Sequence, residues 1–192
     1  DTSTALIGRY GEHRSDRVNL LLGFRNTTSM QVHAFDAVQG AQDVRTGFQL
    51  ATLFGRGIKI TDLDERDYFM STDLYYGHGT PASFAGIEFL GERRRDLDTH
   101  TWDGELASGR AAWYSHPSSK HTVIIDAEYS GGWNQRVPFQ LTLSDRDGGM
   151  SGYGSSDLGG AERAVMRLED RYRFGNFRQL AGLAGVVFVE AG

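Results

Sequence analysis

Charged and apolar side chains alternate along residues 163–174, and this alternation restricts the fold more than any other feature of the sequence. One parity is charged except for Val165, and the other is apolar except for Asp170. The charged set is Arg163, Arg167, Glu169, Arg171 and Arg173, and the apolar set is Ala164, Met166, Leu168, Tyr172 and Phe174. A period of two residues is typical of a β-strand with two unlike faces. The segment is therefore predicted to be such a strand.

Similar runs recur along the whole chain and predict an all-β protein. We expect about nine strands, mostly of about nine to twelve residues, which is longer than the usual five or six of a globular strand. Such lengths match the roughly nine to eleven residues that cross a bilayer at a tilt. The predicted strands cover residues 17–25, 31–37, 44–54, 67–76, 83–92, 102–114, 122–129, 163–174 and 180–191.

Alternation alone permits two interpretations. In a soluble sheet the apolar face packs on a core, whereas in an outer-membrane barrel it meets lipid and the charged face lines a wet interior. The connections favour the barrel, because predicted tight turns at 77–81 and 115–119 alternate with longer polar loops at 55–66, 91–101 and 130–162. The barrel interpretation predicts that Met166, Leu168, Tyr172 and Phe174 point outward and that Arg167, Glu169 and Arg171 point inward.

Composition narrows the function classes. The net charge of −5 and the presence of only two lysines, Lys59 and Lys120, argue against nucleic acid as a partner. The one basic run, 93–95, is interpreted as a solvated loop. Without cysteine there is no disulfide, thiol nucleophile or thiolate metal site. The six histidines lack metal-ligand spacing, and the acidic cluster at 62–67 lacks the pattern of a calcium loop. We therefore expect no metal, no cofactor and no catalytic residues, and the protein is predicted not to be an enzyme.

Motifs in the last third of the chain occur in an order known from one family. They are Pro138-Phe-Gln-Leu141, Gly148-Gly-Met-Ser-Gly-Tyr153, Gly159-Gly160, Leu168-Glu-Asp-Arg171 and Val187-Phe-Val-Glu-Ala-Gly192. This part of the chain resembles the BamA/TamA family, the bacterial surface antigen family of outer-membrane β-barrels, which is related to two-partner-secretion transporters. The resemblance implies a long loop that folds back into the barrel and whose tip carries an arginine. It also implies that acidic residues on the next two strands contact that arginine.

The chain departs from the family at this arginine. The loop motif is Gly148, Gly149, Met150, Ser151, Gly152 and Tyr153, and Ser151 stands at the arginine position. The acidic partners correspond to Glu169 and Glu190. Serine cannot satisfy two carboxylates as a guanidinium does, so we expect Glu169 to take its cation from Arg167, Arg171 or Arg146. We also expect 148–154 to fold over the concave face, with Tyr153 as an apolar anchor.

Together these patterns predict that residues 1–192 form a single partial domain of an outer-membrane β-barrel, with an inward-folding loop at about 131–161. Further strands are expected before Asp1 and beyond Gly192, and residues 1–192 are expected to contain none of the POTRA domains usual in the family. The expected function is protein insertion or translocation in the bacterial outer membrane, with membrane lipid and client outer-membrane or secreted proteins as partners. Two alternatives remain: an anchoring or pore-forming barrel that has lost insertion activity, and, more distantly, a soluble β-sandwich binding module.

Overall fold

Antiparallel strands make up the fold. The computed structural model describes residues 13–35, 40–61, 65–144, 148–154, 159–177 and 181–192. Within those ranges there is no helix, and hence none long and apolar enough to cross a membrane. The strands are β1 (Asp16–His33), β2 (Ala41–Ile58), β3 (Asp67–Thr80), β4 (Ser83–Asp96), β5 (Trp102–Ser115), β6 (His121–Trp133), β7 (Leu141–Thr142), β8 (Gly159–Gly160), β9 (Glu162–Phe177) and β10 (Ala181–Ala191).

Eight of these strands form one meandering sheet in the order β1-β2-β3-β4-β5-β6-β9-β10. Every neighbouring pair is antiparallel. The sheet is not closed, and β1 and β10 are its edges. The other two strands, β7 and β8, pair within the long connection from β6 to β9. The predicted all-β meander is confirmed, and its open, single-sheet form is consistent with part of a barrel. A β-sandwich would need a second large sheet, and β7 and β8 do not supply one.

Within the described residues the meandering sheet has eight strands, close to the number of about nine that the sequence predicted. Residues 31–33 are not a separate strand but the end of β1, which is 18 residues long. The stretch before them, 25–30, loses the alternation but contains no glycine or proline to end a strand. It stays paired with β2, and the hydroxyls of Thr28 and Thr46 lie 2.9 Å apart across the pair. The predicted strand at 31–37 also included residues 36–37, which lie outside the described residues.

Several strands are longer than the sequence predicted. Residues 55–58, 77–80, 91–96 and 130–133 were assigned to loops or turns, but they continue β2, β3, β4 and β6. The turn between β3 and β4 contracts to Pro81 and Ala82. These segments consist mostly of glycine and polar residues on both faces, which made them resemble loops in the sequence. The contrast between short turns at one end of the strands and longer connections at the other remains.

The two faces of the sheet differ as the alternation predicted. The side of the sheet that carries Leu20, Met70, Phe89, Met166 and Leu168 is called the outer face. The opposite side is called the inner face. Large apolar side chains of the outer face are widely exposed: Leu20 is 59% exposed, Met166 54% and Leu168 47%. Phe174 is exposed as well, whereas Tyr172 is half-buried between His121 and Phe174. Arg167, Glu169 and Arg171 lie on the inner face and are less exposed.

The tip of the β1–β2 hairpin covers one end of the inner face. Residues 41–46 of β2 extend beyond β3 and pair only with β1. Phe48 packs against Phe24 on the outer face, whereas Val44 packs against the buried cluster of the inner face. Gly47 lies between them with a φ of +106°. The strand therefore changes direction at Gly47, and the hairpin tip turns inward.

This tip supplies the main apolar cluster of the described structure. Val32 and Phe35 are fully buried and pack with Phe84, Tyr114 and Ile124 of β4, β5 and β6. The Phe35 ring stacks on Tyr114 with centroids 4.9 Å apart. Arg171 of β9 donates a 2.7 Å hydrogen bond to the carbonyl oxygen of Phe35. Because β1 and β9 are far apart in the strand order, this contact requires the sheet to curl, with the inner face concave.

The bend at Gly47 gives the first testable prediction. A Cβ at this position would lie 2.1 Å from the carbonyl oxygen of Asn26 and would require a left-handed backbone. The backbone conformation alone costs about 1–3 kcal/mol for a residue other than glycine. Gly47→Ala should therefore lower the free energy of unfolding by at least this amount in equilibrium denaturation. Gly23→Ala in β1 is the control, because its nearest non-neighbouring atom is 4.0 Å away. Equal effects of the two substitutions would contradict the bend.

Candidate functional site: the polar inner face

Charged side chains cover the inner face from β1 to β10. Burial of an unpaired charge is unfavourable by several kcal/mol, so the charges of a partly enclosed face must be paired. In the described structure, charged side chains of the inner face are paired in three places. They are a buried network at the end of the sheet with the longer loops, a cavity in the middle of the wall, and a contact between the long loop and β10.

Arg94 is the centre of the buried network. Its side chain in β4 is 4% exposed, and that of Asp67 at the start of β3 is fully buried. Arg94 donates from Nε to Asp67 at 2.5 Å and from one terminal nitrogen to Asp103 at 2.7 Å. Its other terminal nitrogen donates to Glu65 at 2.6 Å. One guanidinium thus joins the ends of β3, β4 and β5.

Two more arginines extend this network. Arg17 in β1 donates to Asp67 through Nε at 3.0 Å and through a terminal nitrogen at 2.5 Å. Arg136, in the long loop after β6, donates to Glu65 at 2.6 Å. Burial raises the pKa of Glu65, but the hydrogen bonds and charges of Arg136, with those of His13 and Arg94, outweigh burial and hold it below its ordinary value. The network therefore connects β1 with the long loop.

The basic run at 93–95 was assigned wrongly to a solvated loop. It belongs to β4, and its middle residue, Arg94, points inward to the buried carboxylates. Arg93 and Arg95 point to the outer face, where both lie over the ring of Trp102. The run is polar because it supplies charge to both faces of a strand end. The charge pattern of 92–96, with Glu92, Arg94 and Asp96 in one parity, could have indicated this.

The middle of the inner face holds a cavity of about 430 Å³ lined by β2 to β6. Arg45 lies over the ring of Tyr75, 3.8 Å from its centroid. Arg110 forms an ion pair with Asp126 at 2.7 Å and approaches Glu128 at 3.6 Å. These charges leave a polar wall that suits water or a polar chain segment. Among the described residues, no group of three or more histidine, aspartate or glutamate side chains could hold a metal ion. Asp62 and Asp64 of the acidic cluster lie outside them.

The long loop lies against this wall. Arg163 donates to the carbonyl oxygen of Thr142 at 3.1 Å. The backbone N–H of Gly149 donates to Ser144, and that of Met150 donates to Leu143, so the chain turns tightly before Ser151. Residues 148–151 are thereby held beside inner-face side chains of β6, β9 and β10.

Ser151 contacts Glu190 directly. Its backbone N–H donates to one carboxylate oxygen of Glu190 at 2.6 Å, and its hydroxyl donates to the other at 3.0 Å. Arg167 forms an ion pair with the same carboxylate. The Glu190 side chain is only 4% exposed although β10 is an edge strand. The cation thus comes from the wall, and the loop supplies a backbone and a hydroxyl donor.

The other predicted site residues are distributed differently. Glu169 pairs with Arg171, not with the loop, and lies near the Phe35 end of the inner face. Gly148 lies near Arg163 and Glu128, and Met150 lies beside Gly192. Tyr153 is 47% exposed, so its predicted role as an anchor was wrong. The backbone N–H of Tyr153 donates to the carbonyl oxygen of Met150 and so closes a tight turn over residues 150–153. Arg146 lies outside the described residues.

Sequence reasoning missed the roles of the most buried charged residues, Asp67 and Arg94. Asp67 was considered only as part of a weak calcium cluster, and the inward orientation of Arg94 was not recognised. Comparisons with protein families, curated proteins and solved structures found no match for the chain. The site is therefore interpreted from its own geometry.

The buried network gives the second prediction. Arg94→Met leaves buried carboxylates without their central cation, and breaking a buried pair in this way costs about 3–5 kcal/mol. Arg66→Met is the matched control, because Arg66 pairs with Asp98 and both side chains are more than half exposed. The control should change stability far less. Denaturant unfolding of both variants measures the difference. Similar losses of unfolding free energy in the two variants would show that the burial of Arg94 does not strengthen its contribution to stability.

The third prediction concerns the loop contact. Ser151→Arg replaces the neutral hydroxyl donor beside the Glu190 carboxylate with a guanidinium, which adds a direct ion pair and can donate two parallel hydrogen bonds. Protection of residues 148–154 from proteolysis should rise by roughly fivefold, which corresponds to about 1 kcal/mol. Ser151→Gln is the control for side-chain length without charge. If the arginine variant is protected no better than the glutamine variant, Glu190 is not the carboxylate that holds this position.

Proposed function

We propose that this chain forms part of the wall of a bacterial outer-membrane β-barrel of the BamA/TamA kind. Its proposed activity is the insertion or translocation of client proteins. The observation that carries the proposal is the orientation of the sheet, with an exposed apolar outer face and a paired, charged inner face. A soluble sheet would have the reverse exposure.

The energetics of the outer face support a lipid environment. Soluble monomers rarely expose a contiguous apolar patch larger than a few hundred Å². Here large apolar side chains are exposed on strands from β1 to β10, among them Val18, Phe54, Ile87 and Val187. Burial of such a face in hydrocarbon stabilises by about 25 cal/mol per Å². The main strands are also as long as or longer than the roughly nine to eleven residues that cross a bilayer.

The loop supports an insertion or translocation role over a passive pore. Residues 148–151 lie against the inner wall and are bound to Glu190, as an inward-folding loop of this family would be. No catalytic residues are proposed, and the protein is proposed to act without a cofactor. Its partners would be outer-membrane lipid and client outer-membrane or secreted polypeptides, which are not nucleic acids.

One observation favours the alternative of an anchoring or pore-forming barrel without insertion activity. Glu190 already obtains its cation from Arg167 within the wall, and Ser151 adds no charge. At Ser151 the tip of the loop therefore supplies only neutral donors to Glu190. If insertion depends on a strongly held loop, this chain would have lost it.

Location and activity can be tested separately. The protein should fractionate with the outer membrane, resist carbonate extraction and require detergent for solubility. In liposomes it should accelerate the folding of an unfolded outer-membrane client relative to protein-free liposomes. Glu190→Gln should reduce the acceleration because it weakens the loop contact. Asp170→Asn is the control, since Asp170 is exposed and pairs with His121 at 3.2 Å, away from the loop.

The outcomes distinguish the candidates. Solubility without detergent would contradict a membrane barrel of either kind. A membrane-bound protein that does not accelerate client folding would contradict the insertion role and support the anchoring or pore-forming alternative. Equal activity of Glu190→Gln and Asp170→Asn would show that the loop contact is not needed for insertion.

A further inference from the structure

Arginine and aromatic residues alternate in a row across the outer face, near the end of the sheet with the longer loops. Cross-strand pairing places Arg56 of β2 opposite Tyr68 of β3, Tyr68 opposite Arg95 of β4, and Arg95 opposite Trp102 of β5. Arg93 lies two residues from Arg95 on the same side of β4. We call these five residues the arginine–aromatic row. All five are exposed.

The arginines of the row stack on rings and have no carboxylate partner among the residues that the structure describes. The guanidinium carbon of Arg93 lies 3.4 Å from the Trp102 ring centroid, and that of Arg95 lies 5.6 Å from it. The guanidinium of Arg56 lies 4.3 Å from the Tyr68 ring centroid. Among the described residues, no acidic side chain forms an ion pair with these three arginines. Stacking engages the face of a guanidinium, so its in-plane N–H donors remain available for an anion.

An apolar pocket adjoins these donors. It has a volume of about 380 Å³ and is lined mainly by Phe54, Tyr68, Met70 and Trp102, with Arg93 and Arg95 at its margin. Phe54 and Met70 continue the exposed apolar face toward the middle of the sheet. The site thus has a cationic part at the strand ends and an apolar part nearer the middle of the sheet. Arg93 and Arg95, about 7 Å apart at their Cα atoms, can both reach the oxygens of one phosphate.

We infer that the arginine–aromatic row binds the phosphate-bearing headgroup of an anionic membrane lipid, with the lipid chain lying along Phe54 and Met70. The inference rests on the proposed location in a membrane and adds a specific lipid site to it. Charge complementarity carries it. Three cations that have no carboxylate partner in the described part of the chain lie beside exposed apolar surface. This arrangement suits an anion attached to hydrocarbon better than a soluble anion.

The test uses the protein in an uncharged detergent and counts bound lipids by native mass spectrometry. Phosphatidylglycerol and phosphatidylcholine with the same acyl chains are the probes. The protein should retain phosphatidylglycerol about tenfold better, and Arg93→Gln or Arg95→Gln should each remove most of this preference. Arg66→Gln is the matched control, because it removes one positive charge at the same end of the sheet outside the row. It should leave the preference unchanged.

Three results would overturn the site. Equal retention of the two lipids would show no headgroup selection. A preference that survives both substitutions in the row, or falls equally with Arg66→Gln, would show an effect of overall charge. Displacement of the lipid by millimolar inorganic phosphate would indicate a site for a soluble anion. A protein that fractionates with the membrane but shows no preference would contradict this site alone, whereas a protein soluble without detergent would contradict the proposed function.

Discussion

The burial of charge on the inner face is the constraint on which the rest of the structure depends. A charge removed from water is tolerated only when it is paired, and Arg94 shows how completely this is done. Its guanidinium is bound by Asp67, Asp103 and Glu65, which come from the ends of β3 and β5 and from the connection before β3. These ion pairs make the polar strand ends part of the sheet. They also fill this end of the inner face with charged side chains.

The two ends of the inner face are covered in different ways. At one end the β1–β2 hairpin bends at Gly47 and inserts Val32 and Phe35 against Tyr114 and Ile124. At the other end the long loop returns to the wall through Ser151 and Glu190. One cover is mainly apolar and the other is polar, so the loop is expected to be released more easily than the hairpin tip. One firmly held and one more weakly held cover are what the proposed handling of a client polypeptide would require.

The sequence contained enough information for the strands and their faces, because alternation with a period of two directly reflects side-chain orientation. It also pointed to Ser151 and Glu190, which the structure brings together. The sequence did not reveal where the strands end. Arg94 near the end of β4 resembles a loop residue, because its pairing with Asp67 depends on a distant part of the chain. The inward turn of the hairpin depends on contacts of Phe35 with distant strands, which no local pattern records. Tyr153 was expected to be an anchor on grounds of size alone, and its exposure is determined by the turn at Met150.

The orientation of the sheet in a bilayer tests the account most directly. The sequence has no cysteine, so a single introduced thiol can carry a spin label at one site. Ala111 on the outer face and Ser108, which lines the inner cavity, lie in the same strand with opposite orientation. In lipid vesicles, a label at Ala111→Cys should collide mainly with oxygen, which concentrates in hydrocarbon. A label at Ser108→Cys should collide mainly with a water-soluble nickel chelate. The reverse pattern, or equal access of the chelate to both sites, would contradict the account.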